Sequence, residues 1–545
     1  MFWALLSLTR YWAGPAITQP EIDLSPAALP KYALFSLARI IIAYSISLIV
    51  TVVYAYTAAH NAKAERVMIP LLDTLQSIPV LSFLPPVMMA MVGLFPDRQL
   101  GVELGSILLI FTGQVWNMTF SVYSSIKGIP RELQEAADVY CLSWWQKLIQ
   151  LELPYSAIGL VWNSMMSVAG GWFFLMACEM FVLGNRDLRL PGLGSYLQTA
   201  ANAGNTSAIV WGLATMIAVI VLMDQLIWRP VIAWSEKFKF EQVEAFQTPR
   251  SPVLDLVRRS RLVSLAGRVF VAPLREALTL HFAKSRASGQ ARVRREMAKW
   301  GLRALGVAGG VATVYAAVRM VADLTAISRP GWREILVGAG ATFLRVELVL
   351  LLAGLWTVPA GVFIGLRPRL AAIAQPIAQI AASVPATALF PIVMLGLIRL
   401  GGGLGIGSIV LLLLGTQWYL LFNVIAGATA IPTDLKEVCD VCYISSTDRW
   451  RKLLLPGIFP FLITGFVTAS GGAWNASIVA EYFRFHGRTF SAAGLGAVIS
   501  VAADRGDFAV LLGATVTMAA MVLIVNRLLW RRLYALASTR FKLEA

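Results

Sequence analysis

Long apolar runs, broken by short basic stretches, set the pattern of this chain. A helix needs ~20 apolar residues to cross a bilayer. On that rule, spans fall near residues 36–59, 70–94, 102–125, 154–178 and 208–228. A second series falls near 304–323, 340–363, 375–398, 406–428, 455–478 and 509–530. The pattern predicts an all-α polytopic membrane protein with about 11–12 transmembrane helices. It divides into a first membrane domain at 1–235 and a second at 300–545, joined by a linker at 236–299. The opening residues 1–12 (MFWALLSLTRYW) are too short to span. They lack a small-residue cleavage site, so no clean signal peptide is expected there. Two readings stay open: they are a remnant of the helix that the second domain has near 304–323, or the true start lies upstream.

Charge orients the spans. The segment Lys127–Leu153 carries Lys127, Arg131 and Lys147, and Thr429–Leu455 carries Lys436, Arg449, Arg451 and Lys452. Short turns with Lys63 and Arg66, and with Arg367 and Arg369, fall on the same side when the spans are counted off. The tail from Arg531 to Ala545 falls there too. Basic loops are retained in the cytoplasm, so this side is predicted to be cytoplasmic, with the C-terminus inside. The linker alternates arginines (Arg258, Arg259, Arg261, Arg268, Arg275, Arg292, Arg294, Arg295) with Leu254, Val257, Leu262, Leu265 and Val269 at helical spacing. Amphipathic helices resting on the inner membrane surface are expected there, with membrane lipid as their partner.

Composition narrows the function classes. Hydrophobic residues make up 58% of the 545 and charged residues only 14%, against about 25% in soluble domains. The net charge of +16 is explained by topology, so no nucleic-acid partner is expected. Cys439 and Cys442 form a lone C-x-x-C without a second pair, and His60, His281 and His486 are scattered, so no metal site is expected. Neither H-E-x-x-H nor G-x-S-x-G occurs, and there is no G-x-x-x-x-G-K-[ST] phosphate loop. The chain is therefore expected to be no enzyme and to bind no cofactor of its own.

The chain repeats itself. Ile129-Pro130, Glu135, Asp138 and Pro154 match Ile431-Pro432, Glu437, Asp440 and Pro456, every pair 302 positions apart. The register holds through Gly113/Gly415, Trp116/Trp418, Trp172/Trp474, Glu179/Glu481, Gly192-Leu193-Gly194/Gly494-Leu495-Gly496 and Trp228-Arg229/Trp530-Arg531. Upstream, Ser77 and Pro79 match Ser383 and Pro385 at an offset of 306. Both copies put the basic loop on one side, so the duplication is parallel. Two like domains facing each other across a central pathway are expected.

The repeated loop carries the strongest functional signal. After Pro130, Leu133, Ala136, Ala137 and Tyr140 recur at helical spacing while Glu132, Glu135 and Asp138 make other faces acidic. Ser143 is placed to cap a second short helix, Trp144–Leu151, and Pro154 starts the next span. The second copy uses Leu435, Val438, Cys439 and Cys442, with Ser445 as cap. Such a stripe fits a groove on another protein.

These residues resemble a family pattern, E-A-A-x3-G-x9-I-x-L-P, of the permease subunits of binding-protein-dependent ABC importers. Glu135-Ala136-Ala137-Asp138 with Leu151, Leu153 and Pro154 follow it in the first copy. Glu437-Val438-Cys439-Asp440 with Leu453, Leu455 and Pro456 follow it in the second. Cys141 and Tyr443 stand where the family has glycine. Gly171-Trp172 through Glu179 to Gly192-Leu193-Gly194, and Ala473-Trp474-Asn475 through Glu481 to Gly494-Leu495-Gly496, are similar to the nitrate, sulfonate, taurine and bicarbonate branch. The resemblance implies two tandem ABC importer-type domains in a bacterial-type inner membrane. It also implies two ABC ATPase subunits that use ATP and magnesium and dock on the two loops, an extracytoplasmic substrate-binding protein, and a small anion as cargo.

Polar residues in apolar spans are costly and so become candidates for the pathway. These are Gln76, Ser77, Gln114, Asn117, Asn163 and Glu179 in the first copy, and Ser383, Gln417, Asn475, Ser477 and Glu481 in the second. Such groups also hold helices together. Trp172 and Trp474 are candidates for a constriction. Arg186, Arg189, Arg484 and Arg488 lie on the outer side, to draw in an anion or to pair with Glu179, Asp187 and Glu481. The rival reading is a secondary transporter with two fused halves.

Overall fold

The computed structural model describes residues 21–238 and 310–540, with a few short gaps. The first repeat runs α1 (Leu29–His60), α2 (Ala62–Ser77), α3 (Leu84–Leu94), α4 (Gln99–Lys127), α5 (Arg131–Val139), α6 (Trp144–Lys147) and α7 (Leu153–Glu179). A small hairpin follows, β1 (Val182–Leu183) paired with β2 (Arg186–Asp187), then α8 (Leu193–Asn202), α9 (Thr206–Met223) and α10 (Arg229–Ser235). The second repeat has the same order. Its elements are α11 (Arg329–Gly365), α12 (Pro368–Ser383), α13 (Ala386–Arg399), α14 (Leu404–Ala430), α15 (Thr433–Val441), α16 (Ser446–Arg449) and α17 (Leu455–Ala480). Then come the hairpin β3 (Tyr482–Phe485)/β4 (Arg488–Ser491), α18 (Leu495–Arg505), α19 (Phe508–Val525) and α20 (Arg531–Arg540). The fold is all-α apart from these two hairpins. Residues 1–12 and the linker beyond 238 lie outside the described residues. So do residues 304–309, 312, 313 and 316 of the expected 304–323 span, whose other residues are helical.

Among the described residues, seven helices are long and apolar enough to cross a membrane, or eight if one bent pair counts as a span. The bent pair corrects the single span expected at 70–94. Its two halves meet at 87°. The break falls at Ile78-Pro79, both in extended conformation. A proline pushes the residue before it out of the helical region, so a helix ends there. The 375–398 stretch breaks likewise, between α12 and α13 at Val384-Pro385. The 102–125 stretch is one continuous helix, α4, of 29 residues.

In each repeat one long helix sits at the centre. α4 packs on both α1 and α7, and α14 on both α11 and α17. Small residues allow the close approach. A Cβ on Gly365 of α11 would lie 2.7 Å from the Ala428 Cβ of α14. The repeats then clasp each other reciprocally. The 80–83 turn of the first broken helix packs on α17, and both α12 and α13 of the second pack on α7. The Leu81 N–H points at Asn475 Oδ1 across this seam, 3.4 Å away.

Candidate functional site

Each repeat ends its basic side in the same helix–turn–helix. α5 packs inward through Ala137, which is buried, while Glu135, Ala136 and Asp138 are exposed. In the second copy Cys439 takes the inward place, and Glu437, Val438 and Asp440 are exposed. The apolar stripe expected along Leu133, Ala136, Ala137 and Tyr140 is thus divided between two faces. Leu133 and Ala137 turn in, whereas Ala136 and Tyr140 turn out together with Val139. Val139 and Val441, about four-fifths exposed (80% and 76%), belong to this outer face and stand outside the sequence pattern. On α15, Lys436 is partly buried beside Arg449, and both effects hold its ammonium below the ordinary lysine range.

The turn is built the same way twice. The Leu142 N–H donates to the Ala137 carbonyl and the Ile444 N–H to the Cys439 carbonyl, each at 3.0 Å. This is the six-to-one closure of a Schellman ending, which places a left-handed residue just inside it. That residue is Cys141, at φ 51°, and Tyr443, at φ 50°. Ser143 then opens α6 with a reciprocal capping box to Gln146, and the Ser445 Oγ accepts the Asp448 N–H. Asp138 bridges to Lys147 at 3.4 Å and Asp440 to Arg449 at 2.6 Å, tying the two short helices together. The second short helix is no separate bar across the bundle. Through a π turn at Leu148–Glu152 it runs directly into α7, so Trp144–Glu179 is one helix of 36 residues. Ser446–Ala480 repeats this arrangement. A displacement of either loop therefore acts on a membrane-spanning helix without an intervening joint.

Among the described residues, a cavity at the opposite end and a smaller one nearer mid-helix lie between the repeats. The larger, about 590 Å³, is walled by Leu84, Asp187 and Arg189 of the first repeat and by Phe390, Tyr482 and Asp504 of the second. Asp187 and Arg189 hold each other at 2.5 Å, and Arg189 also donates to the Thr199 hydroxyl. Tyr482 donates to the Asp504 carboxylate. The Thr387 hydroxyl, on the same wall, is buried and makes no hydrogen bond. The smaller cavity, about 140 Å³, lies further along α7 and is lined by Phe173, Trp418, Tyr419 and Asn475 among others.

Residues 46–226 and 357–542 each match the family model described as binding-protein-dependent transport system inner membrane component. The chain belongs to this family. The match falls twice, once on each repeat, so the permease is a duplicated one. Curated relatives include the nitrate import permease protein NrtB of Leptolyngbya laminosa, 30% identical over 141 residues, 26% of this chain and 49% of that protein. The bicarbonate transport system permease protein CmpB of Synechococcus elongatus is 27% identical, also over 26% of this chain and 49% of its own length. The glycine betaine transport system permease protein OpuAB of Bacillus subtilis is 23% identical over 35% of this chain and 62% of its own. The permease thus spans about half the length of the first of these relatives.

The pathway candidates separate into groups. Glu179 and Glu481 are buried and line neither cavity. Neither has the expected arginine of the outer loops as its cation. Arg39 of α1 donates to Glu179 Oε1 at 2.8 Å and grips Glu103 with two further bonds of 2.6 and 2.7 Å. In the second repeat Arg345 pairs with Glu481. Ser36 and Thr342 donate to the same carboxylates, as do the Gly194 and Gly496 N–H groups. This explains the Gly-Leu-Gly motif. A Cβ on Gly192 or Gly494 would lie 2.2 Å from the glutamate carboxyl. Arg39 and Arg345 are 306 positions apart and stand as lone arginines in apolar runs. That signal is present in the sequence, and Arg39 and Arg345 belong with the candidate residues.

Trp172 and Trp474 are both buried in the core. Gln114 is fully buried with both amide atoms unpaired, and Gly171 leaves it room. Gln417 and Ser477 are buried as well. Gln76 and Asn117 are exposed and joined to each other at 3.2 Å. Asn163 bonds its own helix at the Gly159 carbonyl, whereas Asn475 reaches the seam between the repeats. Ser77 and Ser383 end the first arms of the two broken helices.

Proposed function

We propose that this chain is the complete membrane-spanning pore of an ATP-driven importer for a small anion. Its two repeats, 1–235 and 300–545, form the translocation pathway between them. The observation that carries the reading is the pair of exposed helix–turn–helix loops, 302 positions apart, each continuous with a helix that packs against the other repeat. ATP hydrolysis with magnesium falls to two separate ABC ATPase subunits, one on each loop. Glu135, Ala136 and Asp138 meet the first, and Glu437, Val438 and Asp440 meet the second. Ala137 and Cys439 hold the two helices to the bundle. The C-terminus lies on this same cytoplasmic side, with the linker 236–299 on the inner lipid surface.

The substrate arrives from an extracytoplasmic binding protein at the cavity walled by both repeats. The segments at its rim, 182–189 and 482–491, carry four arginines in sequence (Arg186, Arg189, Arg484, Arg488), against Asp187 there and Asp504 on the wall. That excess of positive charge favours an anion. The names of the nitrate and bicarbonate relatives agree with it. From the cavity, the path continues past Asn475, Gln76 and Asn117.

The test is co-expression with a candidate ABC ATPase. Glu135→Arg and Glu437→Arg are each expected to weaken co-purification, and the double variant to abolish it. Unchanged association and unchanged uptake in the double variant would remove the docking role and favour a carrier driven by an ion gradient.

A further inference from the structure

The two repeats differ at the joint between the first helix and the coupling loop. In the first repeat His60 ends α1, and its Nε2 lies 2.9 Å from Glu152 Oε1 in the π turn that links α6 to α7. Its Nδ1 lies 3.0 Å from the Tyr56 carbonyl. Tyr56 stacks on the imidazole at 4.2 Å and touches Trp144, the first residue of α6. Glu152 is buried, 2% exposed, and its other oxygen has no hydrogen-bond partner. At the matching places of the second repeat stand Leu366 and Leu454, 306 and 302 positions on. They pack in one apolar cluster with Val362, Ile431 and Ile458.

Both nitrogens of His60 therefore face acceptors, a carbonyl and a carboxyl. A neutral imidazole has one N–H and can serve only one of them. Both bonds exist together only when the ring carries a second proton, as an imidazolium facing the Glu152 carboxyl group. Losing that proton removes one of the two bonds and reduces the ion pair to a hydrogen bond from a neutral ring: either the buried Glu152 loses its donor, or the exposed Tyr56 carbonyl does. The geometry points to a proton-dependent latch that fixes the coupling loop of the first repeat, while the second is fixed by apolar packing that no proton affects. His60 and Glu152 are positioning residues. They touch no substrate and act through the orientation of α6.

The neighbouring charges do not replace the proton. Lys147 of α6 acts on His60 with its own positive charge and is held by Asp138. On α2 and α4, Glu65 is taken by Tyr123 and Lys127. Imidazole titrates near neutral pH, so the latch is closed at lower pH and opens as pH rises. At high pH the two coupling loops become unequal. The consequence for ATP coupling rests on the docking role proposed above.

The test is amide hydrogen exchange on the full chain in lipid nanodiscs at pH 6 and pH 8. Residues 446–454 serve as the internal reference for residues 144–152. One lost hydrogen bond predicts that 144–152 gains about fivefold in exchange relative to 446–454 at the higher pH. Equal change in the two segments overturns the latch. The combined His60→Leu and Glu152→Leu variant, which copies the second repeat, is expected to abolish the difference. In the complex with ATPase it retains coupled hydrolysis, whereas His60→Leu alone, leaving Glu152 unpaired, loses it. A folded double variant that still shows the pH difference also overturns the proposal. Failure of any ATPase to co-purify would sink the docking role and leave the exchange result to decide the latch.

Discussion

Cys141 and Tyr443, 302 positions apart, hold φ at 51° and 50°, a left-handed conformation in a place where neither side chain favours it. Their loops keep the geometry of a glycine turn without the glycine. The Schellman closures through Leu142 and Ile444, the Ser143 and Ser445 caps and the Asp138–Lys147 and Asp440–Arg449 bridges together hold the backbone there. The left-handed region costs an L-residue roughly 1–2 kcal/mol that glycine does not bear. Cys141→Gly and Tyr443→Gly are thus expected to tighten their loops. Exchange of the Leu142 or Ile444 amide should slow by about tenfold in the matching variant. Equal or faster exchange would mean that the turn is not strained.

The buried arginines give a second, asymmetric expectation. Arg39 is neutralised by two carboxylates, Glu103 and Glu179, all three fully buried. In the second repeat, position 405 is a glycine where the register calls for the counterpart of Glu103, and Arg345 has Glu481 as its carboxylate. Removing one partner of a buried pair costs ~3–5 kcal/mol, because the other charge stays in a dry site. Arg39→Met strands two carboxylates and should lower the melting temperature in detergent more than Arg345→Met, which strands one. Equal losses would count against the asymmetry.

How much of this was legible in the sequence depends on the interaction involved. The parallel repeat, the helix–turn–helix form of the two basic loops and most of the apolar spans follow from local pattern, and the fold bears them out. The single spans expected at 70–94 and 375–398 are broken helices, with Pro79 and Pro385 at the breaks, because hydropathy averages over a bend. Glu179 and Glu481 are legible as charges in apolar spans, and Arg189 does pair with Asp187, but the arginines that hold the two glutamates are Arg39 and Arg345. Their true partners lie 140 and 136 residues away in the chain. No periodicity encodes such a distance. Trp172 and Trp474 carry no mark that separates a core residue from a constriction until the packing is known.

Gln114 offers a test of whether a polar group in the core is structural. Both its amide atoms are buried and unpaired between α4 and α7. An unsatisfied buried amide costs ~1–3 kcal/mol, and an apolar group of the same shape removes that cost. Gln114→Met should therefore leave thermal stability unchanged or raise it. A clear fall in melting temperature would show that the amide has partners, such as an internal water, that the helices alone do not supply.

The cavity between the repeats gives the last expectation, and it separates substrate passage from ATPase docking. Asn202 lines the larger cavity from the C-terminal end of α8 and is exposed. A bulky side chain there has room to form without disturbing the core. If the cavity is the entry to the pathway, Asn202→Trp should reduce uptake in reconstituted vesicles to the level of empty ones. The variant should still co-purify with its ATPase, because the loops at Glu135 and Glu437 lie at the other end of the helices. Full uptake by a folded Asn202→Trp variant would place the pathway elsewhere along the seam, while loss of ATPase association would show that the substitution had damaged the fold. The contrast with the combined Glu135→Arg and Glu437→Arg variant, which should lose the ATPase and uptake together, makes the two ends of the permease separately measurable.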